Sequence, residues 1–257
     1  MATQSRPRRI VGTSLKMYFD LPSTLEYVKT ASSLADAAKA ANIDLFIIPD
    51  FVTLLPSHDI LKFASAPILL GAQDTFWEAR GAYTGEVSPL TLSQAGVTIV
   101  EIGHAERRRI FHETDAEVAK KAAAIVQHGM VPLVCIGEKT HGQIASQAVG
   151  MAIEECRPQI RAALGAIPDD SEVIFAYEPV WAIGAAEPAA ADHVVAVTKE
   201  LRRMCEGRKG AVRILYGGSA GPGTFKNLKD GVDGLFLGRF AHDIKNLEQV
   251  IKEMSEP

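Results

Sequence analysis

The sequence predicts a closed (β/α)8 barrel, eight parallel strands each followed by helical chain. Three observations carry that expectation. Short runs rich in Val, Ile and Leu alternate with Ala-rich helical runs from end to end. Eight such cycles fit into 257 residues, about 32 residues each, and barrels of this kind run to ~250 residues. Most of the apolar runs are nearly continuous, as strands covered on both faces require. The competing arrangement is an open doubly wound sheet, which often carries a Gly-rich turn after its first strand. Here that turn reads Thr13-Ser14-Leu15-Lys16, without GxGxxG.

In order, the predicted strands are 10–14 (IVGTS), 45–48 (LFII), 67–72 (PILLGA), 98–102 (TIVEI), 131–136 (VPLVCI), 173–177 (VIFAY), 212–216 (VRILY) and 234–237 (GLFL). The clearest helical stretches between them are 23–41, 115–128, 143–164 and 191–208. For the first, Ser23 is the expected N-cap, with Glu26 at the capping-box spacing. No stretch reads as a linker or as low complexity, so residues 1–257 are expected to form one domain, with 1–8 a flexible lead-in.

Composition narrows the function. A net charge of -4 argues against a nucleic-acid-binding surface. The basic runs at Arg107-Arg108-Arg109 and Arg202-Arg203 read as solvated helix faces. Cys135, Cys156 and Cys205 are widely spaced and make no CxxC. That pattern suits a reducing compartment, hence a cytoplasmic protein, and offers neither a disulfide framework nor a zinc site. No apolar run reaches the ~18 residues of a membrane span.

Barrel active sites lie at the C-terminal ends of the strands. The strand ends here deliver Ser14 and Lys16, Gln73 and Asp74, Glu101 with His104 and Glu106, Glu138, Glu178, Gly217-Gly218-Ser219, and Gly238-Arg239. Each alone has a plainer reading. Lys16 reads as a snorkelling lysine, His104 as a structural histidine, Glu178 as an ion-pair partner and Gly-Gly-Ser as a turn. Together, a lysine, a histidine and a glutamate at the mouths of strands one, four and six point into one bowl. A carboxylate desolvated there needs a partner or a shifted pKa.

These groups suit one chemistry. A carboxylate can take a proton from carbon beside a carbonyl. An imidazole and an ammonium can polarise that carbonyl and hold the enediolate. Glycine-rich turns on strands seven and eight offer N–H groups to a phosphate. There is no Ser-His-Asp or Cys-His set, no HExxH and no carboxylate cluster with metal spacing. The residues therefore predict cofactor-free and metal-free proton transfer on a small phosphorylated substrate.

The motifs AYEPVWAIG, GHAERR, VCIGE, GAYTGEVSP and LYGGS, which occur in family order along the chain, resemble the signatures of the triosephosphate isomerase family, YEPVWAIG most specifically. The resemblance spans the chain from Val11 to near its end. It implies that Glu178 is the carbon base, His104 the neutral electrophile and Lys16 the cation holding the anionic substrate. Glu106 would support Lys16, while Gly184, Ser219 and Gly238 would donate to the phosphate. Pro179, Val180 and Trp181 would hinge a lid tipped by Ala185, Ala186 and Glu187, with Tyr216 and Ser219 latching it. Closure would suppress loss of phosphate from the enediolate. Thr84 resembles the tip of a loop that enters a second subunit, which implies a homodimer.

The sequence departs from the family pattern at four places. Ser14 stands for the usual asparagine and Ala105 for a serine. Ala185-Ala186-Glu187 stands for Thr-Gly-Lys, and Arg239 for a second glycine that approaches phosphate. Ser14 and Arg239 count as substrate-binding positions. GTS-KM and DGLFLGR resemble a branch acting on four-carbon ketose phosphates such as erythrulose phosphate. The expected reaction is aldose–ketose isomerisation of glyceraldehyde 3-phosphate and dihydroxyacetone phosphate, in glycolysis and gluconeogenesis. A four-carbon ketose phosphate is the alternative substrate, and a non-catalytic phosphate-binding barrel the alternative class.

Overall fold

The computed structural model describes residues 7–142, 144–186 and 188–256. Its strands are β1 (Arg9–Ser14), β2 (Ile43–Ile48), β3 (Ile68–Ala72), β4 (Ile99–Ile102), β5 (Val131–Ile136), β6 (Val173–Tyr177), β7 (Val212–Tyr216) and β8 (Gly234–Leu237). They close in chain order, and every pair is parallel, β8 returning to β1. The outer layer comprises α1 (Leu21–Ser32), α2 (Ala35–Ala40), α3 (Leu54–Phe63), α4 (Pro89–Gln94), α5 (Ala105–Ile110), α6 (Asp115–Gln127), α7 (Ala145–Ala166), α8 (Ala191–Arg203), α9 (Thr224–Leu228) and α10 (Ile244–Ser255). The expected (β/α)8 barrel is the observed one. No helix among the described residues is long and apolar enough to cross a membrane.

The near-continuous apolar runs serve two cores because alternate residues of a strand face opposite sides. Ile10, Phe46, Ile99, Leu133, Ile174, Leu215 and Phe236 fill the barrel interior. Val11, Leu45, Val134, Phe175, Ile214 and Leu235 meet helix residues such as Val28, Ile125, Ile160, Val197 and Val250. Gly12 is bare for a reason: a Cβ there would sit 2.3 Å from the Phe46 ring.

The first helix departs from expectation. It starts at Leu21, and its cap is Asp20, whose carboxylate accepts from Ser23 N at 2.9 Å. Ser23 is thus inside the helix rather than its cap. Pro22 marks the true start, because a first-turn N–H has no helical acceptor to lose. The stretch then breaks after Ser32 and resumes as α2. A capping box does form elsewhere, between Thr114 and Glu117 at the head of α6. The last predicted helix stops at Arg203 rather than 208. The expected lead-in up to residue 6, the predicted helix start at Gln143 and the lid residue Glu187 lie outside the described residues.

Candidate active site

The strand ends enclose a cavity of about 970 Å³. Ser14, Lys16, His104, Glu106 and Glu178 line it, as do Gly184, Ser219, Gly238 and Arg239. Val180, Ala185 and Ala186 form part of its wall. Residues from β1, β4, β6, β7 and β8, far apart in sequence, thus meet in one bowl.

Lys16 follows β1 in a left-handed backbone conformation, φ 49°, which is strained for a side-chain-bearing residue. Gln73, from the end of β3, holds it there: its Nε2 donates to the Lys16 carbonyl at 2.8 Å. The Lys16 ammonium donates to Glu106 Oε1 at 2.7 Å. Burial alone would lower the Lys16 pKa, but Glu106, with Glu178 and Glu101 behind it, outweighs burial and keeps the lysine above its ordinary value.

His104 caps α5, and its Nδ1 accepts from Glu106 N at 3.1 Å. An accepting Nδ1 leaves Nε2 as the N–H donor of a neutral ring. That nitrogen stands 3.6 Å from Glu178 Oε2. Burial, with the Lys16 charge, holds the imidazole down at about 4. The ring is therefore neutral at physiological pH and aims its one hydrogen at the cavity.

Glu178 follows β6 directly, so a core strand fixes its position. A Cβ at Gly217 would meet Glu178 Oε1 at 2.5 Å, so the glycine after β7 leaves the carboxylate its space. Burial raises its pKa to about 7, against the pull of Lys16 and the Cys135 thiol. A desolvated carboxylate poised near neutrality is a competent carbon base.

The chain after Glu178 lines the cavity as far as Ala186, a strap fastened at three places. Trp181 Nε1 donates to Glu138 Oε1 at 2.9 Å. Ala189 N donates to the Tyr216 hydroxyl at 2.8 Å. The Ser219 hydroxyl reaches the carbonyls of Ala182 at 2.9 Å and Ala185 at 3.0 Å. Arg239 faces the strap: a Cβ at Gly184 would lie 3.6 Å from its Nη2.

Not every strand-end group enters the bowl. Asp74 turns away and, with Glu113, neutralises the buried Lys121. Glu138 is buried behind the strap, where it also accepts from Tyr177 at 3.2 Å. Its role in fastening Trp181 was hidden, because the sequence placed it at a strand end without its partners. Thr84 is exposed on the loop between β3 and α4, outside the cavity. Gln73 is another functional group that sequence reasoning left without a role.

Comparison with known proteins agrees with this geometry. Residues 9–254 match the family described as triosephosphate isomerase. The chain is 42% identical over 251 residues to the L-erythrulose-1-phosphate isomerase of Pectobacterium atrosepticum, covering 95% of this chain and 94% of that one. It is 38% identical over 245 residues to the protein of the same name from Brucella abortus, covering 94% of each. It is 39% identical over 240 residues to the triosephosphate isomerase of Thermoanaerobacter pseudethanolicus, covering 90% and 93%. Barrel, strand-end residues and full-length similarity converge, and the chain belongs to the triosephosphate isomerase family of enzymes.

Proposed function

We propose that the protein isomerises a four-carbon ketose phosphate, erythrulose 1-phosphate. The observation that carries this is its full-length similarity to relatives of that name, 42% for the Pectobacterium protein. The relatives favour this substrate over the three-carbon one expected first. Similarity to the Thermoanaerobacter enzyme keeps the three-carbon reaction as the second reading.

The chemistry of that substrate fixes the direction of the proton shift. Erythrulose 1-phosphate carries its ketone on C2 and its phosphate ester on C1. The C1 oxygen is esterified, so C1 cannot become a free aldehyde carbon. The proton must leave C3 instead. Glu178 takes it, electrons move onto the C2 oxygen, and an enediolate spans C2 and C3. His104 Nε2–H and the Lys16 ammonium stabilise the oxygen that gains charge. Glu178 returns the proton to C2, and His104 Nε2–H gives its proton to the C2 oxygen and takes one from the C3 hydroxyl, so that C3 becomes the ketone and C2 carries the hydroxyl. The product is another ketose, with its phosphate at the far end, so the shift is ketose–ketose rather than aldose–ketose.

Gly184, Ser219, Gly238 and Arg239 hold the phosphate at one end of the cavity, under the strap. Ser14, smaller than the family asparagine, gives the fourth carbon room. Met17 (94% exposed), Tyr18, Phe51, Val52, Tyr83, Ile110 and Phe111 put exposed apolar surface on the loops after β1 to β4. That surface, with Thr84 among it, supports a homodimer. A monomeric mass by light scattering at micromolar concentration would dismiss the dimer.

The test of the main reading is side-by-side kcat/KM on erythrulose 1-phosphate and glyceraldehyde 3-phosphate. We expect the four-carbon substrate to lead by at least about tenfold. A lead for glyceraldehyde 3-phosphate would move the assignment to the second reading. Loss of turnover in Glu178→Ala separates both from a mere binder.

A further inference from the structure

The barrel interior holds one carboxyl for which the reaction above has no use. Glu101 lies on β4, two residues from Ile99 and on the same side of the strand, among the apolar side chains that fill the barrel. It is 3% exposed, and its Oε2 has no hydrogen-bond partner among the described residues. Ser14, which lines the cavity, is 2% exposed, and its Oγ is unpartnered as well. Burying two such groups short of good hydrogen bonds is unfavourable. An apolar residue at position 101 would pack among Ile99, Leu133 and Phe236 without that penalty.

The electrostatics agree on their proximity. Burial, then the Glu178 charge, raises Glu101 to about 8, and the adjacent Ser14 hydroxyl and Lys16 pull the other way. Glu101 is therefore a neutral acid at physiological pH, able both to donate and to accept a hydrogen bond.

Their place along the substrate matters. The phosphate lies toward Gly184, Ser219 and Gly238, and Glu178 marks the carbon that loses its proton. In erythrulose 1-phosphate that carbon carries a further CH2OH, directed away from the phosphate. Apart from Glu178, Ser14 is the cavity-lining residue among those described whose side chain keeps a buried polar atom without a partner. We infer that Ser14 and Glu101 form a subsite for the terminal hydroxyl of the four-carbon substrate. Ser14 makes the contact, and Glu101 is the positioning residue that orients the Ser14 hydroxyl from behind. A three-carbon substrate has no group to reach this pair. The inference rests on the four-carbon reading and deepens it.

The test compares erythrulose 1-phosphate with its 4-deoxy analogue, which keeps every reacting atom and lacks only the terminal hydroxyl. The native enzyme should prefer the hydroxylated compound by about 10- to 100-fold in kcat/KM, the range of one good hydrogen bond in a buried site. Glu101→Val should collapse that preference to within about threefold, chiefly through a higher KM for the hydroxylated compound. Glu101→Gln retains a donor and an acceptor and should restore most of it. Should the valine variant not fold, a tenfold loss of preference in Ser14→Ala reads the same contact, with Glu101→Gln intermediate. If the native enzyme turns over erythrulose 1-phosphate and its preference survives in the Glu101 and Ser14 variants, the subsite is wrong and the substrate assignment stands. If it does not turn that compound over, both fall together.

Discussion

His104 Nε2 and Glu178 Oε2 stand 3.6 Å apart across the mouth of the barrel, one from β4 and the other from β6. At that separation a reacting carbon and its carbonyl oxygen must lie over the pair, the carbon to Glu178 and the oxygen to His104, and both groups must be held to a fraction of an ångström. Shortening Glu178 to Asp should therefore lower kcat by at least ~100-fold. The fold should keep its melting temperature, since the change trims a desolvated charge rather than a packing contact. Steady-state kinetics beside a thermal melt would show it; near-native turnover would remove Glu178 as the base.

The pH profile should follow the same carboxylate. Its raised pKa of about 7 means that the free enzyme loses its base as pH falls through neutrality. We expect kcat/KM to rise with pH and level off above about 7, with the substrate phosphate adding a second acidic limb near ~6. His104, held at about 4, adds no limb at physiological pH. A single limb near the ordinary carboxylate value of 4.5 would mean that the base is hydrated rather than buried.

Glu101 should leave a mark on stability. In the fold it titrates near 8, against 4.5 when free of the fold. Between those values the folded chain keeps a proton that the unfolded chain releases, so rising pH favours unfolding. Native stability should decline from pH 5 to pH 8, and Glu101→Gln should flatten that decline. We expect the variant to melt roughly 5–10 °C higher than the native chain at pH 8, and nearly level with it at pH 5. Equal differences at both pH values would show that Glu101 is ionised in the fold.

Trp181 and Glu138 test the strap. Trp181→Phe deletes the N–H that reaches Glu138 and leaves a buried carboxylate short of one donor. A hydrogen bond to a charged group is worth about 1.5–3 kcal/mol, so the closed strap should lose about tenfold or more in population. Less closure means a more exposed enediolate. The variant should release more inorganic phosphate per turnover, measured by phosphate assay against product formed. An unchanged ratio would show that this bond does not govern closure.

The alternation of apolar and helical runs was enough to predict the barrel, because parallel strands buried on both faces have few other solutions. All eight strands start within two residues of their predicted places. The helix starts were less legible. Ser23 and Glu26 have the spacing of a capping box, yet Asp20 competes better because Pro22 suits the first turn. At the site, Lys16, His104 and Glu178 could be named from strand position and motif. Gln73, Glu138 and Glu101 could not be given roles. Each acts through a partner distant in sequence, the Lys16 carbonyl, the Trp181 indole and the Ser14 hydroxyl respectively. A strand pattern also says nothing about which polar strand-end group turns inward, as Asp74 illustrates by pairing with Lys121 instead.

The three fastenings of the strap differ in kind from the barrel they rest on. Eight strands joined edge to edge come apart together, whereas a few side-chain hydrogen bonds can release while the hoop stays intact. Warming this protein should silence it before it melts. Turnover would then fade over a range in which circular dichroism still reports a complete fold, and cooling would bring it back. The segment from Pro179 to Ala189 is where an organism living at another temperature would adjust this enzyme, leaving the barrel as it is.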